Sequence, residues 1–193
     1  MLYPARRIVT GHDAQGRSVV LTDAAATNLV VSPLSPNRGL INFWRTESTP
    51  ASNAGDADPM AGPPQGLLPP KHGSVFRFFQ IAPENEEADL SPAERERRMG
   101  SAFAAMNAAH ARIDTGRHPS MHKTETVDYI ILLQGEVTLL LDEGDVAMKP
   151  FDVVIQRGTN HGWVNHGSVP ALLVAVLIDA EPGAFPGEAL ADH

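Results

Sequence analysis

From Thr126 to Ile178 the chain runs as one short strand after another, and this spacing constrains the fold more than any other feature. Thr126 to Gln134 breaks at Gly135, Glu136 to Leu141 breaks at Asp142-Glu143-Gly144, and Asp145 to Lys149 breaks at Pro150. Asp152 to Gln156, Gly162 to Asn165 and Ala171 to Ile178 complete the series. Six strands joined by tight turns predict an antiparallel barrel or sandwich, because short neighbouring strands close on one another most simply that way. No internal repeat is visible, so a duplicated barrel is not expected.

Upstream, Arg6 to Thr10 and Arg17 to Thr22 read as two strands about a turn, and Gly39 to Arg45 as a third. Thr46 to Gly73 holds six prolines and almost no large apolar residue beyond Met60, Leu67 and Leu68. Such a stretch is a long loop, either an ordered arm or lid or a plain surface connection. Ser74 to Ile81 returns to a strand, with Val75 or Phe76 marking its buried face. Ser91-Pro92-Ala93-Glu94 is a helix start with a Ser cap, Pro in the first turn and Glu three residues after the cap. Met99, Ala102, Phe103, Met106 and His110 follow at helical spacing, predicting one helix from Pro92 to about Ala109 packed on the barrel.

Charge and composition narrow the partners. Fifteen basic residues against 23 acidic ones give a net charge of -8, which disfavours binding to nucleic acid or to an anionic membrane. With no cysteine, disulfides, thiolate nucleophiles and Cys-ligated zinc are excluded. The first residues lack the apolar stretch of a signal peptide, and the longest apolar run, Ala171 to Ile178, is far short of the roughly 20 residues that span a bilayer. The expected compartment is cytoplasmic.

Two spaced segments carry a resemblance. Gly116, five residues, His122, one residue, Thr124, three residues, Asp128, six residues and Gly135 follow the first motif of the cupin superfamily, G-x5-H-x-H-x(3,4)-E-x6-G. Thr124 stands where that motif has its second histidine, and Asp128 where it has glutamate. In the second motif Asp152, Gly158, His161 and Asn165 are retained, while Phe151 replaces the first glycine and the proline is lost. The chain thus resembles small bacterial and fungal cupins over about 60 residues. The resemblance implies a mainly β fold: a cupin-type antiparallel β-barrel, or jelly roll, with an N-terminal strand extension and one helix. The expected organisation is N-terminal strands, loop and helix over 1–110, a barrel core over 111–180 and a tail over 181–193, forming one structural domain.

Side chains of one parity along a strand share a face, so His122, Thr124 and Asp128 form one set and His161, Trp163 and Asn165 another. With both sets pointing into the barrel, His122, Asp128 and His161 would form a two-histidine, one-carboxylate centre suited to iron, manganese or zinc. Thr124, Gln156, Trp163 and Asn165 would line the pocket, with Gln156 as a further ligand or hydrogen-bond donor. His166 is expected on the surface, and His118, just before Pro119, is either solvated or a substitute for the lost ligand. Three functions remain open from these residues: a metal-dependent enzyme acting on a small metabolite, a metal-free barrel that binds a small molecule without catalysis, or a structural subunit that assembles through its N-terminal strands and long loop. Exposed barrel edges lead us to expect a homodimer.

Overall fold

The computed structural model describes residues 1–183; positions 184–193 of the expected tail lie outside the described residues. Among the described residues, eleven strands and one α-helix form in chain order. They are β1 (Arg6–His12), β2 (Ser18–Ala25), β3 (Asn28–Val31), β4 (Gly39–Thr46), β5 (Ser74–Ile81), α1 (Pro92–Ala105), β6 (Thr126–Gln134), β7 (Val137–Leu141), β8 (Asp145–Met148), β9 (Val153–Arg157), β10 (His161–Val164) and β11 (Ala171–Asp179). All six C-terminal strands predicted from the sequence are present, and β3 is an addition that its four residues did not announce.

Two sheets face each other across the core. The larger has the order β3-β4-β5-β11-β6-β9 and the smaller β10-β7-β8, with every neighbouring pair antiparallel. The hairpin β1-β2 stands as a separate ribbon. β11 is the centre of the large sheet. Its run ALLVAVLID pairs along its length with β5 on one side and β6 on the other. Strands β3 to β5, which come from residues 28–81, are therefore part of the barrel wall. The core between the sheets gathers Ile130 and Leu132 of β6, Val137 and Leu139 of β7, and Leu173 and Leu177 of β11, all of them buried. Burying side chains of this size contributes roughly 1.5–3 kcal/mol each, and is the main force holding the sheets together.

The loop from 46 to 73 is strapped to one end of the barrel by buried polar side chains. The Asn28 amide donates to the carbonyls of Met60 (3.1 Å) and Pro63 (3.2 Å), and the Asn42 amide donates to that of Gln65 (3.2 Å). Arg77 Nη2 donates to the Gly66 carbonyl at 2.8 Å. Leu67 is then held against the end of α1 through its amide, which donates to the Met106 carbonyl at 3.0 Å. Of the two readings of this loop, the ordered arm is the one formed.

Helix α1 begins as predicted, with the Ser91 hydroxyl accepting from the Glu94 amide. It ends at Ala105 instead of Ala109, because Asn107 takes a left-handed conformation (φ 55°) that halts the helical ladder. His110 falls in a short 3-10 turn, Ala109–Ala111. No helix among the described residues is long and apolar enough to cross a membrane.

Backbone geometry accounts for one glycine of the motifs and bears on the one that is missing. Gly135 closes the β6-β7 turn at φ 82°, and a Cβ there would stand 2.9 Å from the Ala171 backbone. Phe151 occupies the place of the family glycine and holds φ 76° with its ring largely exposed. An L-residue held left-handed costs roughly 1–2 kcal/mol, and little packing is lost by removing an exposed ring. Phe151→Gly is therefore expected to raise stability by about 1 kcal/mol. A higher urea midpoint at unchanged slope would show this; an unchanged or lower midpoint would contradict it.

Candidate functional site

The site starts from a pairing between backbones. His122, in the segment leading to β6, and His161, the first residue of β10, form an isolated antiparallel bridge. Each amide donates to the other's carbonyl, at 2.8 and 2.9 Å. Residues set directly opposite in this way carry side chains that touch, and the two imidazole rings lie with centroids 4.3 Å apart. Phe103 of α1 covers one ring at 5.0 Å, and Trp163 meets the other edge-on at 5.8 Å and 84°.

Both rings are fixed in the same tautomer. Nδ1 of His122 lies 2.9 Å from the Ser120 carbonyl, and Nδ1 of His161 lies 3.0 Å from the Thr159 carbonyl. A carbonyl only accepts, so Nδ1 carries the proton in each ring and Nε2 is left with its lone pair. Desolvation pushes the His161 imidazole down to about 3, with His122 adding to the effect and the Thr159 carbonyl opposing it. His122 keeps some accessible surface, yet desolvation is also its largest influence and takes it to about 4. Both rings are neutral at pH 7.

These residues line a cavity of about 150 Å³ between the sheets. A cavity of that size can hold one benzene-sized ring. Its wall is mostly apolar: Leu40, Phe79 and Ile81 from β4 and β5, Ile130 and Trp163 from β6 and β10, Leu67 from the strapped loop, and Met99 and Phe103 from α1. The helix stripe expected only to pack on the barrel thus also closes the pocket. Two ionisable side chains enter from the large sheet, Asp128 of β6 and Arg77 of β5. They lie on either side of β11, where Arg77 pairs with Ala175 and Asp128 with Leu177. Burial raises the Asp128 carboxyl to about 6, against the opposing influence of Thr126 and Arg77.

His122, Asp128, His161 and Trp163 accordingly meet in one cavity, whereas Thr124, Gln156 and Asn165 do not line it. Thr124 is bound to the Thr126 hydroxyl at 2.8 Å, and Thr126 is in turn hydrogen-bonded to Asp128. Gln156 turns its amide to Thr159 in the β9-β10 connection. Asn165 donates to the carbonyls of Ile81 (3.0 Å) and Val169 (2.8 Å) and accepts from the Gly167 amide (2.8 Å), so its side chain is occupied as a clamp between strands. His166 is exposed as expected, 3.1 Å from Glu84. His118 is instead largely buried, with Nδ1 2.7 Å from the Ser120 hydroxyl.

Residues 109–177 match the family model described as a cupin domain. That segment belongs to the cupin superfamily. Phomopsin biosynthesis cluster protein D of Diaporthe leptostromiformis is 28% identical over 193 residues, covering 95% of this chain and 83% of its own. The cupin-domain-containing oxidoreductases virC of Hypocrea virens and fogC of Aspergillus ruber are 28% and 27% identical. These cover 91% and 90% of this chain and 76% and 71% of their own.

The resemblance to cupins implies a divalent metal, and the donor set tests that. Two imidazoles converge, but among the described residues no three His, Asp or Glu side chains are grouped so as to hold one ion. The expected centre of His122, Asp128 and His161 does not close. Aspartate is a methylene shorter than the glutamate of the motif, and Asp128 sits in the field of Arg77. Thr124, in place of the second histidine, is turned to Thr126. The residues present do not fit a resident metal with three protein ligands.

Arg77 is a charged residue of the cavity wall that the motifs do not contain. Its signal in the sequence is a cation in the middle of the apolar strand SVFRFFQI, where an arginine on the inward face has to be accommodated by the core.

The two histidines give stability a definite pH dependence. Their folded values lie below the ordinary 6.5, so the unfolded chain takes up protons first, and stability is lost as pH falls from about 6.5 toward 4. Asp128 works in the opposite sense, because its raised value adds stability as pH falls from about 6 toward 3.8. Two imidazoles outweigh one carboxyl, and the net loss between roughly pH 7 and pH 5 is expected to be on the order of 2 kcal/mol. In urea titrations at the two pH values, the His122→Gln/His161→Gln double variant should lose this fall in stability and keep only the smaller, opposite trend of Asp128. An equal loss in the variant would contradict the assignment.

Proposed function

We propose that this cupin is an enzyme acting on a small, mostly apolar metabolite that bears a carbonyl or carboxylate group, by proton transfer at the His122–His161 pair. One observation carries the reading: two neutral imidazoles, each with its Nδ1 proton held on a main-chain carbonyl, stand side by side in an otherwise apolar cavity. Nε2 of either ring is the acceptor for a proton from carbon or oxygen of the ligand. Such rings are weak bases when the cavity is empty. Negative charge developing on the substrate oxygen raises their basicity at the moment of transfer. Phe103 and Trp163 exclude water from the rings, and the small cavity favours a ring-sized ligand. The biosynthesis-cluster and oxidoreductase names of the relatives support a catalytic role in small-molecule metabolism.

Cyclohexanone in deuterium oxide provides a test that needs no knowledge of the natural substrate. Exchange at the carbon next to the carbonyl, followed by NMR, is expected to be at least about tenfold faster with the wild-type protein than with His161→Ala. Equal rates would contradict a proton-transfer role.

We also propose that the protein pairs with a second copy of itself. Phe76, Tyr129 and Ile155 are exposed on the outer face of the large sheet and fall in one cross-strand row with Val176. Light scattering is expected to give twice the chain mass, with Tyr129→Lys/Ile155→Lys reducing it to one. A monomeric wild type would contradict this.

A further inference from the structure

Among the charged groups of the molecule, Arg77 is the one whose surroundings leave the most to be explained. It is 1% exposed, in the middle of β5, with β4 on one side and β11 on the other. A guanidinium carries five N–H donors. Nη2 reaches the Gly66 carbonyl, but Nε and Nη1 are buried and have no hydrogen-bonding partner in the protein. One of the five N–H groups is therefore matched, and all three on Nε and Nη1 are not. Leaving buried donors unmatched costs roughly 1–3 kcal/mol per group, and more when they are charged.

Nearby groups do not remove this cost. Asp128 acts on Arg77 through its field, yet its own Oδ1 is also buried without a partner, so the two are not joined in a hydrogen-bonded ion pair. Desolvation pulls the guanidinium down to about 9, and the attraction of Asp128 offsets only part of this. Arg38, the other arginine lining the cavity, is paired with Glu87 at 3.1 Å. If Arg77 served only to strap the loop, one N–H would suffice, and a neutral donor of the kind used by Asn28 and Asn42 would do so without burying a charge.

We propose that Arg77 is the anchor for an anionic oxygen of the ligand, so that the substrates of this cavity are small organic acids, carrying a carboxylate on an aromatic or compact aliphatic body. A carboxylate matches the planar fork of a guanidinium, whose two edges pair Nη2 with Nε or with Nη1. The Gly66 carbonyl takes one N–H of Nη2, and the second N–H of Nη2 completes a fork with Nε or with Nη1. The placement suits the chemistry. The anchor lies on the large sheet and His161 begins β10 of the small sheet, so a ligand held at its acid end extends toward the two imidazoles across the cavity. Asp128 competes for the same cation, and its removal should strengthen anion binding. This inference rests on the reading that the cavity binds a small metabolite.

Benzoate and its neutral counterpart benzamide separate the two ideas, with binding measured by calorimetry on the full chain. The wild-type protein is expected to bind benzoate at least tenfold more tightly than benzamide. Arg77→Met should erase that preference while keeping benzamide binding. Should Arg77→Met fail to fold, Arg77→Lys keeps the charge without the fork and is expected to weaken benzoate selectively. Asp128→Asn is expected to tighten benzoate and leave benzamide unchanged. Equal binding of the two probes by the wild type, or a preference that persists in the Arg77 variants, would overturn the anchor alone. Failure of both probes to bind would overturn the anchor together with the small-molecule cavity on which it rests.

Discussion

Strand β11 is the element on which both halves of the chain meet. Its apolar run pairs with β5 on one edge and β6 on the other, and it is buried against the small sheet. Because side chains alternate, β11 contributes Ala175 and Leu177 to the cavity and presents Val176 outward. The small Ala175 lies beside Arg77, and Leu177 beside Asp128. The two opposite charges are thereby held on neighbouring sides of one strand, close enough to interact through their fields and yet not joined. Loss of either strand pairing would separate the charges from the histidines that face them.

Electrostatically, the site is a cluster of groups kept away from their ordinary states by burial. The imidazoles are held neutral, the carboxyl is raised toward neutrality, and the guanidinium is deprived of water. Groups shifted in this way gather where binding or catalysis requires them. The pairs that tie down the surface are of a different kind. Arg6–Asp23 and Arg97–Glu94 are exposed, screened by solvent, and contribute little to stability.

Much of the barrel is legible in the sequence because its strands announce themselves by alternation and by turns, and because the two motif segments fix the place of both histidines and Asp128. Parity alone, however, does not reveal whether a side chain is free. Thr124 and Asn165 have the right spacing, but Thr126 engages the first, and the carbonyls of Ile81 and Val169 the second. Gln156 is likewise turned away by Thr159. Arg77 shows locally only as a cation in an apolar strand, and its entry into the cavity depends on β5 pairing with a strand from the far end of the chain. The start of α1 could be read from its cap, whereas its end depends on one left-handed residue, Asn107. That the helix also walls the pocket follows from tertiary packing, which no periodicity records.

Among the described residues, no third protein ligand completes the pair of imidazoles in this cavity into a metal centre. Elemental analysis of untagged protein, before and after reconstitution with iron(II), manganese(II) and zinc(II), tests it most directly. Only substoichiometric metal is expected, at the same level in wild type and in His161→Ala. Near-stoichiometric metal that disappears in His161→Ala would contradict it.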